Sequence, residues 1–215
     1  MSTSASPPPR TPLQQRVAAA VLEAAAKVLA AEGEQASMLD VAAAAGVGRA
    51  TLYRYFPSRQ ALLDELADVA LEQAGERLAA AGLERLAAAE AISRAVRALV
   101  AVGDYFVVLE RERVRPDPAR LEGQIGAPLR AVLQRGQASG EIRDDVPASW
   151  LTEALLGLVV SILLAPRLLA VEDTISAITS LFLDGCAGRG SGTRATDERE
   201  QVLPTFRPPE GERGG

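Results

Sequence analysis

Apolar residues recur at intervals of three and four along most of the chain, the spacing of a buried helical face. Ala, Leu, Glu and Arg, which all favour helices, are frequent. No segment alternates apolar and polar residues as a half-buried strand does, and no Asn-Gly or Asp-Gly pair marks a hairpin. The pattern predicts an all-α fold of about nine helices.

Glycine, proline and serine divide this pattern into separate helices. The first helix is predicted from Leu13 to Glu32, with Gly33 as the residue that ends it. The remaining helices are predicted over residues 37–45, 49–56, 59–81, 84–102, 104–113, 118–137, 147–166 and 172–186. Residues 1–12 and 187–215 have few apolar residues, and we expect them to be a disordered arm and a disordered tail.

Several protein classes are excluded or disfavoured by composition. The chain has no histidine and one cysteine, Cys186, so an internal disulfide, a Cys/His zinc site and a Ser-His or Cys-His catalytic pair are excluded. Asp144 and Asp145 are adjacent carboxylates in a predicted turn, where we expect them to be solvated rather than catalytic. The sequence therefore predicts no enzyme, no metal and no cofactor.

The sequence also predicts a cytoplasmic protein. The Ser- and Pro-rich start lacks the apolar segment of a signal peptide. The longest uncharged apolar stretch runs from Ala154 to Pro166, and its 13 residues fall short of the about 20 that span a bilayer. A single cysteine is compatible with a reducing compartment.

Charge is distributed unevenly along the chain. The net charge is −5, yet residues 10–60 carry six basic and four acidic groups, whereas the remainder carries 17 basic and 24 acidic groups. No acidic residue occurs from Val41 to Leu63. A local basic face on an acidic body is what a protein needs if only one end binds the phosphates of a nucleic acid. The alternative is that the uneven distribution arose by chance.

Residues 37–56 form the segment with the clearest functional pattern. Two short predicted helices are joined by residues 45–48, a length typical of a helix-turn-helix. On a helical wheel Leu52 and Phe56 share one face of the second helix, where they can pack on the first. The opposite face carries Ala50, Thr51, Tyr53 and Arg54, with Arg49 at the N-terminal edge.

The residue types on that outer face suit a DNA groove. Arg can donate two hydrogen bonds to guanine, and Thr and Ala can contact a thymine methyl group. Tyr and Arg side chains can also bind phosphates. The alternative is an ordinary helical hairpin with a solvated basic face.

The run from Val47 to Arg59, VGRATLYRYFPSR, closely resembles the recognition-helix signature of TetR-family transcriptional regulators. The preceding run from Ser37 to Gly46, SMLDVAAAAG, resembles the family's preceding helix. Gly48 stands where the family more often has serine, which removes one hydroxyl that could bind a phosphate. The resemblance covers about residues 13–63, and the rest of the chain resembles the family in helix number and length.

The resemblance implies roles for individual residues. It places Arg49, Ala50, Thr51, Tyr53 and Arg54 in the major groove of double-stranded DNA. It assigns the phosphate backbone to a second set of residues: Ser37, Met38, Gly48, Tyr55 and Arg59.

The last two predicted helices carry more apolar residues than one buried face requires. A helix that is apolar all round must be buried all round. The resemblance implies that these helices form a homodimer interface, and packing in the core of a single chain is the alternative. The candidate interface residues are Leu151, Leu155, Leu158, Ile162, Ile175, Ile178, Leu181 and Phe182.

The resemblance also implies a ligand cavity among the helices between about residues 84 and 138 and the start of the penultimate helix. Helix bundles hold ligands in such places. The candidate lining residues are Tyr105, Glu110, Arg120, Gln124, Trp150 and Glu153, each of which could instead be a surface or interface residue.

These inferences combine into one functional prediction. Residues 13–57 would be the DNA-binding domain, and residues 58–186 would bind a small-molecule effector and form the dimer. The protein would be a ligand-responsive repressor that leaves a palindromic operator when the effector binds. The alternative is a helical small-molecule-binding or scaffold protein without DNA binding.

Overall fold

The computed structural model describes residues 10–166 and 168–187, and within them the fold is all-helical, as predicted. Three N-terminal helices, of which the second and third are short, are followed by six that form the body of the protein. The nine helices of the described residues are α1 Pro12–Glu32, α2 Met38–Ala44, α3 Arg49–Tyr55, α4 Arg59–Ala80, α5 Ala88–Val100, α6 Gly103–Arg111, α7, which joins Pro118–Leu121, Glu122–Gly126 and Ala127–Ser139, α8 Ala148–Leu164 and α9 Val171–Cys186. No helix in these ranges is long and apolar enough to cross a membrane.

The predicted disorder of residues 1–12 is wrong for residues 10–12, which cap and begin α1. Residues 1–9 lie outside the described residues. Thr11 caps α1 with a reciprocal pair of hydrogen bonds: its hydroxyl accepts from Gln14 N, and Gln14 Oε1 accepts from Thr11 N at 2.8 Å. Pro12 occupies the first helical position, where its missing N–H costs nothing. Of the predicted tail, Ala187 pairs with Ile142 in an isolated bridge, and residues 188–215 lie outside the described residues.

The body is a bundle in which α5 is central. It packs against α4, α7, α8 and α9, while α6 packs against α1, α4 and α8. The buried apolar residues form one continuous cluster from Ala18 in α1 to Cys186 in α9. The three N-terminal helices therefore share their core with the body, and α1 contacts both α4 and α6.

A π-helical turn interrupts α7, which the sequence predicted as a regular helix. The turn spans Glu122–Gly126 and packs on α4. At the contact, a Cβ atom built on Gly75 would stand 3.2 Å from Gln124 Cβ, so glycine permits this close approach. A π-helical turn that depends on packing against a distant helix cannot be predicted from the spacing of apolar residues along the chain.

The predicted dimer face is wrong for five of its eight residues. Leu151, Leu155, Ile175, Ile178 and Phe182 are buried within the single chain. The reason is that α8 packs on α6 and α7, and α9 packs on α5, so these stripes complete the chain's own core.

The other three candidates are more accessible. Leu158 and Ile162 are half-buried against the core, and Leu181 is 62% exposed. The outer side of α8 is formed instead by Ala154, Gly157 and Ser161, which are small and exposed. That outer side is accessible to a second chain.

Candidate nucleic-acid interface

The start of α2 is fixed by a capping box. Ser37 Oγ accepts hydrogen bonds from the N–H groups of Leu39 and Asp40, at 3.2 and 3.3 Å. Asp40 Oδ2 accepts from Ser37 N at 2.8 Å and from Ser37 Oγ at 2.6 Å, and these hydrogen bonds lower the pKa of Asp40. The Ser37 side chain, which the family resemblance implies lies near the DNA backbone, is therefore already engaged in the cap.

A tight turn joins α2 to α3. Gly46 has a φ of +66°, in the left-handed region that favours glycine, and its N–H donates to Ala43 O. Val47 N–H donates to Ala42 O at 3.0 Å and brings the chain back across α2. Gly48 then precedes α3 with ordinary backbone angles and no capping side chain, so its backbone is exposed at the start of the helix.

The recognition helix α3 has one buried and one exposed face, as the sequence predicted. Leu52 and Phe56 are completely buried. Arg49, Ala50 and Arg54 are exposed, Tyr53 is 37% exposed, and Thr51 is half-buried. The five side chains predicted for the major groove thus all retain access to solvent on one short helix.

Two arginines of this face lie over tyrosine rings. The Arg49 guanidinium carbon is 5.5 Å from the centre of the Tyr53 ring, and that of Arg54 is 5.3 Å from the centre of the Tyr55 ring. Cation–π contacts of this kind favour a limited set of side-chain positions. The face therefore presents positive charge in a partly ordered arrangement.

Two of the residues that the resemblance assigns to phosphates make contacts within the protein instead. Met38 is buried in the core, so only its backbone remains near the surface. Arg59 donates to Glu112 Oε1 at 2.5 Å and to Ala36 O at 2.6 Å, so a phosphate would have to compete with two partners inside the chain. Tyr55 is half-buried beside Phe56, with a ring-to-ring distance of 6.5 Å.

Arg10 is a structural contributor that the sequence analysis missed. Its guanidinium forms a two-point ion pair with Glu65 of α4 and donates a long hydrogen bond, 3.4 Å, to Tyr55 O at the end of α3. The same group lies 5.4 Å from the centre of the Phe56 ring. Arg10 therefore ties the end of α3 to α4, and no local pattern could reveal a partner 55 residues away.

We expect Arg10→Ala to lower the free energy of unfolding by about 1 kcal/mol, since the ion pair is only partly shielded from solvent. Operator affinity should fall a few-fold, because the end of α3 loses one of its anchors. Chemical denaturation and fluorescence anisotropy measure the two effects. Arg16→Ala is the matched control, because Arg16 is exposed on α1. Equal stability of the two variants would contradict the anchoring role.

A compact helix-turn-helix with an exposed basic and aromatic second helix defines a class of DNA-binding proteins. The family model of bacterial regulatory proteins of the tetR family matches residues 21–66 of the chain, which include this unit. The HTH-type transcriptional regulator NfxB of Pseudomonas aeruginosa is 30% identical over 162 residues, which cover 71% of this chain and 86% of NfxB. The chain belongs to the TetR family of transcriptional regulators.

A second relative links sequence and structure. The HTH-type transcriptional repressor LfrR of Mycolicibacterium smegmatis is 50% identical over 54 residues, 25% of this chain and 28% of LfrR. The crystal structure of LfrR in complex with proflavine has a TM-score of 0.65 and 27% identity, covering 80% of this chain and 97% of that one. Fold and sequence thus agree on a DNA-binding transcriptional regulator.

The six candidate ligand residues are not brought together in one cavity. Tyr105 lines a polar cleft of about 750 Å³ between α1, α4 and α6, where its hydroxyl accepts from Gln73. Gln124 lines a cavity of about 420 Å³ between α4 and α7, and its Oε1 is buried with no hydrogen-bond partner among the described residues. Glu110 and Glu153 line a third cavity of about 550 Å³.

The other two candidates lie on the surface. Arg120 forms an ion pair with Asp68 of α4, and Trp150 is 71% exposed at the start of α8. Neither residue lines any of the three cavities described above. The cavity that contains Glu110 and Glu153 is therefore the one in which two of the predicted ligand residues meet.

Proposed function

We propose that this regulator is a homodimeric repressor that binds a palindromic operator through α3 and leaves it when a small molecule enters the body. The observation that carries the proposal is the division of α3 into a buried face and an exposed face. Leu52 and Phe56 hold the helix to the core, while Arg49, Tyr53 and Arg54 extend outward. An exposed helix of this kind can enter the major groove.

Residues 13–57 serve DNA binding in this proposal, and residues 58–186 serve effector binding and dimerisation. One recognition helix contacts too few base pairs for useful specificity, whereas two related by a twofold axis read two half-sites. The small exposed residues on the outer side of α8 support dimerisation there, because they allow two backbones to approach closely. The protein would act in the cytoplasm, where the operator is.

The cavity beside α6 is the proposed effector site. Similarity to LfrR, which has been crystallised with proflavine, supports a small-molecule site in the body. Glu110 lines the cavity, and Arg111 donates to Ala30 O of α1 at 2.6 Å. Glu112 pairs with Arg59 at the start of α4, and Arg59 in turn donates to Ala36 O before α2. The end of α6 therefore touches both the cavity and the DNA-binding unit.

That arrangement supports a route from effector to DNA. A bound effector shifts the equilibrium between two conformations only if it binds one of them more tightly. A displacement of the end of α6 would act directly on the Ala30 carbonyl and on Arg59. A coupling of about 2–3 kcal/mol would change operator affinity by about 30- to 150-fold.

Operator binding by the full-length protein tests the proposal. We expect specific binding to DNA from upstream of its own gene, with an affinity that falls steeply between about 50 and 200 mM salt as counterions are released. A scrambled duplex of equal length is the control. Equal affinity for both duplexes would contradict the proposal and would favour a helical small-molecule-binding or scaffold protein.

A further inference from the structure

The side chain of Arg59 connects the DNA-binding unit to the body. Arg59 is the first residue of α4, shortly after Phe56 ends α3. Its Nη1 donates to Ala36 O at 2.6 Å, directly before the Ser37 cap of α2. Its Nε and Nη2 donate to the two carboxylate oxygens of Glu112 at the end of α6, at 3.3 and 2.5 Å. One guanidinium therefore joins the start of α2, the start of α4 and the end of α6.

The same guanidinium lies at the edge of the unit that a DNA backbone would pass. When a helix-turn-helix binds DNA, its first helix crosses the phosphate backbone while its second helix enters the major groove. Arg59 is bonded to the residue before Ser37, at the start of that first helix. A guanidinium has five N–H donors, and three of those of Arg59 are engaged. Because the Arg59 side chain is 31% exposed, its remaining N–H groups are within reach of a phosphate.

Glu112 competes with a phosphate for Arg59. Carboxylates and phosphates both accept pairs of hydrogen bonds from a guanidinium. The Glu112 side chain is only 15% exposed, so a Glu112 carboxylate without Arg59 would regain little of its hydration. That cost holds Arg59 on Glu112 and opposes its transfer to a phosphate.

The helix end that carries Glu112 is conformationally constrained. Arg113 has a φ of +55°, in the left-handed region, and Val114 N donates to Leu109 O at 2.8 Å across the turn. Residues other than glycine rarely adopt this conformation, and where they do the surrounding structure holds them in it. Glu112 is therefore presented from a fixed turn, two residues after Glu110, which lines the cavity between α6, α7 and α8.

We propose that Glu112 restrains operator binding by holding Arg59 away from the DNA backbone, and that Arg59 binds a phosphate when this ion pair opens. The inference rests on the proposed function, because it names a regulation of the same DNA-binding surface. An effector that fixes the end of α6 would keep Glu112 on Arg59 and so oppose operator binding. If the ion pair only stiffened the unit, removing the charge of Glu112 would weaken DNA binding instead.

The sign of the effect of Glu112→Gln tests the restraint. We expect the full-length variant to bind DNA from upstream of its own gene about fivefold more tightly than the wild type, the effect of one partly shielded ion pair. Phosphate contacts carry no sequence information, so a scrambled duplex should gain by the same factor. Fluorescence anisotropy at about 50 mM salt measures both affinities. Glu32→Gln, which removes an exposed carboxylate at the end of α1, is the matched control and should change neither.

Unchanged or weaker binding of both duplexes by Glu112→Gln would overturn the inference. Glu112→Asp provides a second variant in case the glutamine variant does not fold, as judged by circular dichroism. Its shorter side chain cannot keep both hydrogen bonds to Arg59, so it should give a smaller gain in the same direction. A loss of affinity in a folded Glu112→Asp protein would also overturn the inference.

A second substitution shows whether the gain comes through Arg59. In the Glu112→Gln background, Arg59→Gln should abolish the gain. It should also reduce the slope of log affinity against log salt by about 0.9, the effect of one lost phosphate contact. Arg59→Lys in that background should retain most of the slope, because lysine also binds phosphate as a point charge. An equal gain from Glu112→Gln with and without Arg59 would contradict the proposal, since it would then reflect net charge alone.

The two proposals fail separately. Equal affinity of the wild type for both duplexes would contradict the repressor, whereas tighter binding of both by Glu112→Gln would still support the restraint. Specific operator binding that Glu112→Gln does not strengthen would contradict the restraint and retain the repressor.

Discussion

Tyr53→Ala is expected to weaken operator binding by on the order of 1–3 kcal/mol, the usual contribution of a good base contact to the free energy of binding. Tyr53 is partly exposed, and its described contact is the cation–π contact with Arg49. Its removal should therefore change the free energy of unfolding by less than about 0.5 kcal/mol. Thr51→Ala is expected to have the same pattern with a smaller loss. Fluorescence anisotropy and chemical denaturation measure the two quantities.

Phe56→Ala is the matched variant on the opposite face of α3. Phe56 is completely buried, and truncation of such a ring costs about 3–5 kcal/mol of unfolding free energy. Gln60→Ala, on the exposed side of α4, is the control that should change neither quantity appreciably. A Tyr53→Ala protein that loses stability but binds the operator normally would contradict the assigned orientation of α3.

Ser161→Arg is expected to convert the proposed homodimer into monomers. Ser161 is exposed on the outer side of α8, so the larger side chain fits the single chain but would bury an unpaired charge between two chains. Because the second recognition helix is then no longer held beside the first, operator affinity should fall by about 10²- to 10⁴-fold. Sedimentation velocity and anisotropy report the two effects.

Ala89→Arg supplies the control for added charge. Ala89 is exposed at the start of α5, so the same substitution there should leave both the mass of the assembly and operator affinity unchanged. A Ser161→Arg protein that still sediments as a dimer would place the interface elsewhere.

The sequence predicted those features that depend on neighbouring residues. The turn between α2 and α3 and the opposite faces of α3 both follow from spacings of a few residues. The helix boundaries were predicted to within a few residues for the same reason. The family resemblance was confined to the segment that carries these local signals, and the family model matches that segment.

Features that depend on distant partners could not be predicted. Arg59 lay within a motif that implied phosphate binding, yet its partner Glu112 is 53 residues away. The apolar stripe of Leu151 and Leu155 has the same spacing whether it meets a second chain or its own core, and the packing of α8 decided the matter. Carboxylates from α6 and α8 meet at one cavity only because those two helices are neighbours in space.

Photo-crosslinking from α3 tests the central claim most directly. Tyr53 is replaced by p-benzoylphenylalanine, and the full-length protein is irradiated with labelled operator. The same residue at position 181, exposed on α9, is the control. The account predicts a covalent adduct with operator DNA from position 53 and none from position 181. No adduct from position 53, or equal adducts from both positions, would contradict it.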